Sequence, residues 1–135
     1  MLSRFQPQLL SVLRVIAGFV FSLHGWQKVF GAFGGLSPNL PPGTLNMLMA
    51  AGWIETIGGA LLMVGLFTSP VAFVASGEMA VAYFVGHVSR AGKILPMQNG
   101  GDSAVLLSFI FLYLCAAGGG AWSVDKIMGR DKKET

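Results

Sequence analysis

Ionisable side chains within otherwise apolar stretches are the residues of this sequence best suited to chemistry: Arg14, His24, Lys28, Glu55, Glu78 and His87. A charge at the middle of a bilayer costs on the order of 3 kcal/mol on insertion scales, so each needs a polar partner or a wet cavity. Carboxylates and imidazoles can take up and release protons, and an ammonium group can hold an anion. These residues are therefore the candidates for a site, and the elements around them must bring them together.

Composition places the chain in the membrane class. Its 135 residues are 53% hydrophobic and 11% charged, with a mean hydropathy of +0.65. A soluble domain has about 25% charged residues, and one this short buries only about two-thirds of its surface. Lipid must cover the remaining apolar surface.

Four apolar segments, each long enough to cross a hydrocarbon core, are separated by stretches rich in Gly, Pro and polar residues. The first is too long for a signal peptide and is followed by three more, so we interpret it as a retained helix. We predict one all-α membrane domain over 1–135, a four-transmembrane-helix bundle of up-down-up-down order. The predicted helices cover about 9–30, 45–67, 71–87 and 103–122, followed by a charged tail over 123–135.

Basic residues predict the orientation. The two ends and their neighbouring regions hold Arg4, Arg14, Lys126, Arg130, Lys132 and Lys133, and the opposite side holds Lys28, Arg90 and Lys93. This distribution favours cytoplasmic termini. The same distribution explains the net charge of +3. The sequence has no basic patch interleaved with aromatic residues, so it does not predict nucleic-acid binding.

Helix depth, at 1.5 Å per residue, predicts which charges meet. Arg14 and Glu78 should both lie in the inner half of the bundle, so we predict that they form a structural ion pair. His24, Lys28, Glu55 and His87 should line a pocket that opens outward, with Asn99 and Asp102 at its mouth. Small residues at four-residue spacing, such as Gly52 and Thr56, should let the helices approach closely.

Such a pocket suits a quinone, which needs an apolar slot and groups that hydrogen-bond and protonate its carbonyl oxygens. The same groups would also suit a proton relay or an anion beside Lys28. The sequence contains no E-x-x-H or H-x-x-x-H pair, the spacings that would suggest a metal site on a helix. Cys115 is the only cysteine, which argues against thiol-disulfide exchange by this chain alone.

Ordered motifs along nearly the whole chain resemble the DoxX family. Leu13-Arg14-Val15-Ile16-Ala17-Gly18 and His24-Gly25-Trp26-Gln27-Lys28-Val29-Phe30-Gly31 are similar to its first helix. Further matches are Glu55-Thr56-Ile57-Gly58-Gly59-Ala60, Glu78-Met79-Ala80-Val81-Ala82, Asn99-Gly100-Gly101-Asp102, and the ending Gly118-Gly119-Gly120-Ala121-Trp122-Ser123-Val124-Asp125. Asp102 stands where Glu is common in the family. The resemblance implies a four-helix inner-membrane protein linked to quinone-dependent redox complexes.

We therefore expect an integral membrane subunit of a quinone-linked redox complex, an accessory subunit rather than a stand-alone enzyme, because the sequence has no haem motif, flavin fingerprint, metal cage or thiol pair. Membrane or peripheral redox proteins would be its partners, and it could form an oligomer. A small-solute or proton transporter would use the same buried charges as a relay. In a purely structural or assembly subunit, those charges would only hold the helices of the bundle together.

Overall fold

The computed structural model describes residues 1–130, and all regular structure among them is helical. The principal helices are α1 (Gln6–Phe30), α2 (Pro42–Val64), α3 (Thr68–Val81), α4 (Asp102–Ala117) and α5 (Val124–Ile127). Short 3-10 helices cover Ser3–Phe5 and Ala32–Gly34, α3 continues through a π-helical segment (Ala82–Val88) into Ser89–Ala91, and Pro96–Asn99 forms a further short helix.

Three stretches are long and apolar enough to cross a membrane: Ser3–Phe30, Pro42–Val64 and Thr68–Ala91. Helix α4 is apolar but shorter, with 16 residues, and rises about 24 Å. The fourth helix thus ends at Ala117, five residues before the predicted boundary at residue 122. Gly118 and Gly120 follow at positive φ, which carries the chain out of the helix and back towards the bundle.

Two antiparallel helix pairs make up the bundle. Helix α1 packs along α2, with Gly18 beside Gly59 and Gly25 beside Gly52. Helix α3 packs along α4, where Ser76 Oγ donates to the carbonyl oxygen of Ser108 at 2.8 Å. The core between the pairs is apolar and includes Ala17, Phe21, Leu62, Ala75, Met79, Leu107, Phe111 and Leu114.

The segment after α4 is part of the fold, although the sequence predicted a charged tail there. Its residues 118–128 return to the start of α1 and to the turn between α2 and α3. The amide of Ala121 donates to Pro7 O at 3.0 Å, and the amide of Asp125 donates to Gly65 O at 2.9 Å. The predicted tail residues Lys132 and Lys133 lie outside the described residues.

Candidate functional site

Lys28 and Glu55 form an ion pair between α1 and α2. Lys28 Nζ lies 2.6 Å from Glu55 Oε1 and 2.5 Å from Oε2. The side chain of Glu55 is 1% exposed and that of Lys28 is 16% exposed. A carboxylate buried among apolar helices needs a polar partner. Lys28 is that partner for Glu55.

Glycines position this pair by letting the two backbones approach. A Cβ at Gly25 would lie 2.6 Å from the amide nitrogen of Thr56 and 2.7 Å from Gly52 O, closer than side chains can come. A Cβ at Gly52 would lie 2.8 Å from the Cβ of Lys28. The small-residue face that the sequence predicted on α2 therefore contacts a matching face on α1, and it brings Lys28 against Glu55.

Glu78 on α3 belongs to the same cluster. Its charge interacts with those of Glu55 and Lys28, and its Oε2 is buried with no hydrogen-bond partner among residues 1–130. Because α3 begins at Thr68 and not at residue 71, Glu78 lies about 15 Å along the helix, level with Glu55 on the antiparallel α2. We call Lys28, Glu55 and Glu78 the carboxylate cluster.

Arg14 is held by backbone carbonyl groups. The guanidinium is fully buried and donates to Gly119 O at 2.8 Å, Met63 O at 2.7 Å, Trp122 O at 2.6 Å, and Leu62 O. Leu62 lies seven residues from Glu55 along α2, about 10 Å. Arg14 is thus roughly two helical turns away from the level of Glu78, and the structure places the two predicted partners at different heights in the bundle.

The remaining predicted site residues lie at different places. His24 is half-buried on α1, near enough to Lys28 for their charges to interact. His87 contacts the loop that precedes α4, with Nδ1 3.3 Å from Asn99 O, and it lies nine residues, about 13 Å, beyond Glu78. Asp102 is exposed at the start of α4. The structure thus gathers His24 with the carboxylate cluster and leaves His87 and Asp102 apart.

Asn99 organises the loop that precedes α4. Its side-chain nitrogen donates to Lys93 O at 3.0 Å and to the Tyr83 hydroxyl at 3.3 Å, and its Oδ1 accepts from the amide of Gly101 at 2.8 Å. The Tyr83 hydroxyl donates to Ile94 O. These contacts tie residues 93–101 to the π-helical segment, so Asn99 is a loop anchor.

Asp125 is a buried functional group that the sequence analysis missed. Its Oδ1 accepts from the amide of Phe67 at 2.9 Å, and its Oδ2 accepts from the amide of Thr68 at 2.7 Å. It therefore caps the first turn of α3 from the far end of the chain. Asp125 closes the ending motif that resembles the DoxX family, and that position was the available signal.

An apolar groove runs between α2 and α3 to the level of the carboxylate cluster. Its volume is about 530 Å³, and its lining residues are Phe21, Trp53, Ile54, Ile57, Gly58, Leu61, Phe67, Pro70, Val71, Val74 and Ala75. Ile54 adjoins Glu55 in sequence, and Glu78 lies one helical turn beyond Val74. The cluster residues themselves do not line the groove, which can hold a flat or chain-like apolar molecule that extends to their level in the bundle.

No three His, Cys, Asp or Glu side chains within residues 1–130 are grouped closely enough to hold a metal ion. Cys115 is a half-buried free thiol on α4. Its neighbours in the core are apolar, which makes it a packing residue. Chemistry at this site would thus depend on carboxyl, ammonium and imidazole groups.

The long apolar helices and buried charges define a small helical integral membrane protein. The chain belongs to the DoxX family, whose model matches residues 9–88. An uncharacterized protein of Haemophilus influenzae is 40% identical over 129 residues, which cover 92% of this chain and 93% of that protein. No solved structure matches the chain. The family resemblance seen in the sequence is therefore confirmed.

Proposed function

We propose that this protein is an integral membrane subunit of a quinone-linked redox complex and that the carboxylate cluster binds the quinone head group. The observation that carries the proposal is Glu78 Oε2, a buried carboxyl oxygen with no hydrogen-bond partner among the described residues, level with one end of an apolar groove. A quinone needs a polar group at its carbonyl oxygens and an apolar surface along its ring and tail. These features occur here within a few residues of each other.

The residues of the cluster have separate roles in this proposal. Glu78 hydrogen-bonds the head group and exchanges a proton with its oxygen atom. Lys28, already bound to Glu55, holds that second carboxylate in place and offsets its charge. His24, one turn from Lys28 on α1, relays protons towards the outer side. Electrons come from redox centres in partner chains, which makes this chain an accessory subunit.

The membrane arrangement is part of the proposal. Helix α4 serves as the fourth crossing, with the segment after Ala117 completing the passage through the interface. The termini lie on the cytoplasmic side of the inner membrane, as the distribution of basic residues favours. The carboxylate cluster then lies near the middle of the bilayer, within reach of quinones dissolved in lipid.

Tryptophan fluorescence tests quinone binding directly, because Trp53 lines the groove and quinones quench indole emission. We would retain Trp53 as the single tryptophan by replacing Trp26 and Trp122 with Phe, and titrate the protein in detergent with a short-chain ubiquinone analogue. We expect saturable quenching that Glu78→Gln weakens at least tenfold. Asp102→Asn makes the same charge change at an exposed position and should leave the titration unchanged.

Activity in the native complex separates the alternatives. Gentle detergent extraction should retain partner redox proteins, and Glu78→Gln should abolish quinone-linked turnover while assembly persists. Proton or solute flux in proteoliposomes of this chain alone would instead support a transporter. Linear, non-saturable quenching of the protein with both carboxylates intact, together with unchanged turnover when Glu78 and Glu55 are both replaced by Gln, would support a structural subunit and overturn the proposal.

A further inference from the structure

A second cavity lies at the end of the bundle that holds the start of α1 and the segment after α4. It has a volume of about 630 Å³ and is bounded by the start of α1, the first turn of α3, the end of α4 and the segment around α5. Lys126 and Arg130 contribute its cationic groups. The Arg130 guanidinium lies 4.6 Å from the centroid of the Phe67 ring, which places it at the edge of the cavity.

The electrostatics of this cavity favour an anion. Asp125 also lines it, but both of its carboxylate oxygens accept hydrogen bonds from the amides that begin α3. Thr68, a lining residue that is only 1% exposed, has a hydroxyl oxygen with no hydrogen-bond partner among the described residues. A buried hydroxyl normally has a partner, so this one is free to donate to a ligand oxygen.

An apolar groove adjoins the cavity on the outer surface of α1. It has a volume of about 370 Å³ and includes Leu2, Leu9 and Leu13. Gln6, Leu10 and Tyr113 line both spaces, so the two are adjacent. A cationic cavity that leads into an apolar groove along a membrane helix matches a molecule with an anionic head and a hydrocarbon chain.

We propose that this end of the protein binds an anionic phospholipid. Its phosphate lies between Lys126 and Arg130 and accepts a hydrogen bond from Thr68, and one acyl chain follows the groove along Leu10 and Leu13. Basic pockets between membrane helices on the cytoplasmic side are known to hold anionic head groups. The site is separate from the carboxylate cluster, so it stands or falls independently of the proposed redox function.

Native mass spectrometry of the detergent-purified protein tests the proposal with two lipids of identical acyl chains. Phosphatidylglycerol should remain bound at concentrations where phosphatidylcholine does not. Replacing Lys126 and Arg130 together by Gln should weaken phosphatidylglycerol binding about 25-fold, or about fivefold for each cation. Replacing the exposed Arg90 and Lys93 by Gln removes the same charge at the opposite end and should leave binding unchanged.

Thr68→Val provides the second arm, because it removes the hydroxyl but keeps the backbone amide that Asp125 binds. We expect weaker phosphatidylglycerol binding and an unchanged thermal unfolding temperature in the absence of lipid. Equal binding of the two lipids, or an equal loss in the Arg90/Lys93 control, would overturn the proposal. Competition by glycerol 3-phosphate as effective as that by the lipid would identify a free-anion site instead and would overturn it as well.

Discussion

Glu55 and Glu78 lie at the same height in the bundle although they come from different helices. Glu55 precedes the end of α2 at Val64, and Glu78 follows the start of α3 at Thr68, by nearly the same number of residues. The two carboxylates interact electrostatically, and Lys28 binds only one of them directly. This asymmetry, one paired carboxylate beside one with an unsatisfied oxygen, underlies the proposed function.

The Lys28–Glu55 pair should show strong energetic coupling in a double-mutant cycle. Glu55→Gln and Lys28→Met should each destabilise the protein by about 3 kcal/mol, because each leaves a buried charge without its partner. The double variant should be less destabilised than the sum of the two, by about 1–3 kcal/mol. Thermal or denaturant unfolding in detergent measures these energies, and strictly additive effects would contradict the pairing.

Arg14→Lys should destabilise the protein even though the charge is kept. A lysine ammonium has three donors on a flexible stem and cannot reproduce the planar fork that reaches carbonyl groups on both Met63 and Trp122. The expected loss is about 2–4 kcal/mol, since each hydrogen bond to a charged group contributes about 1.5–3 kcal/mol. Arg90→Lys, at an exposed position, is the control and should be neutral.

Asp125→Ala should release the segment after α4 from the first turn of α3. Loss of a capping side chain costs about 1–2 kcal/mol, and the amides of Phe67 and Thr68 lose their acceptors. Hydrogen exchange should therefore accelerate at these two amides more than in the middle of α3. Asp125→Asn keeps one acceptor oxygen and should have an intermediate effect; equal exchange in all three proteins would refute the capping role.

Gly25→Ala should separate α1 from α2. The added methyl group would meet the backbone of Thr56 and Gly52 at under 3 Å, and overpacking of this kind costs about 1–3 kcal/mol. Gly77→Ala is a matched control, because nothing lies within 4 Å of a Cβ at that helical position. The control should be neutral or slightly stabilising, and a similar loss in both variants would show that close approach is not the cause.

The sequence by itself determined the membrane class, the family and the approximate positions of the helices. These follow from local properties, namely the length of apolar runs and the Gly and Pro residues that separate them. The first helix ends at Phe30 as predicted, because Gly31 takes the left-handed conformation that ends a helix. The small residues on α2 likewise indicated close packing before a partner helix was known.

Only the tertiary structure decided which partner each buried charge has. Arg14 binds carbonyl oxygens, which every residue carries, so the sequence offers no signal for that choice. Glu78 lies level with Glu55 because α3 begins directly after the short turn that ends α2, and the two residues are nearly equidistant from that turn. Arg14, in contrast, contacts Met63, about 12 Å nearer to the turn. The return of residues 118–128 and the capping by Asp125 depend on contacts between distant parts of the chain, which local patterns do not encode.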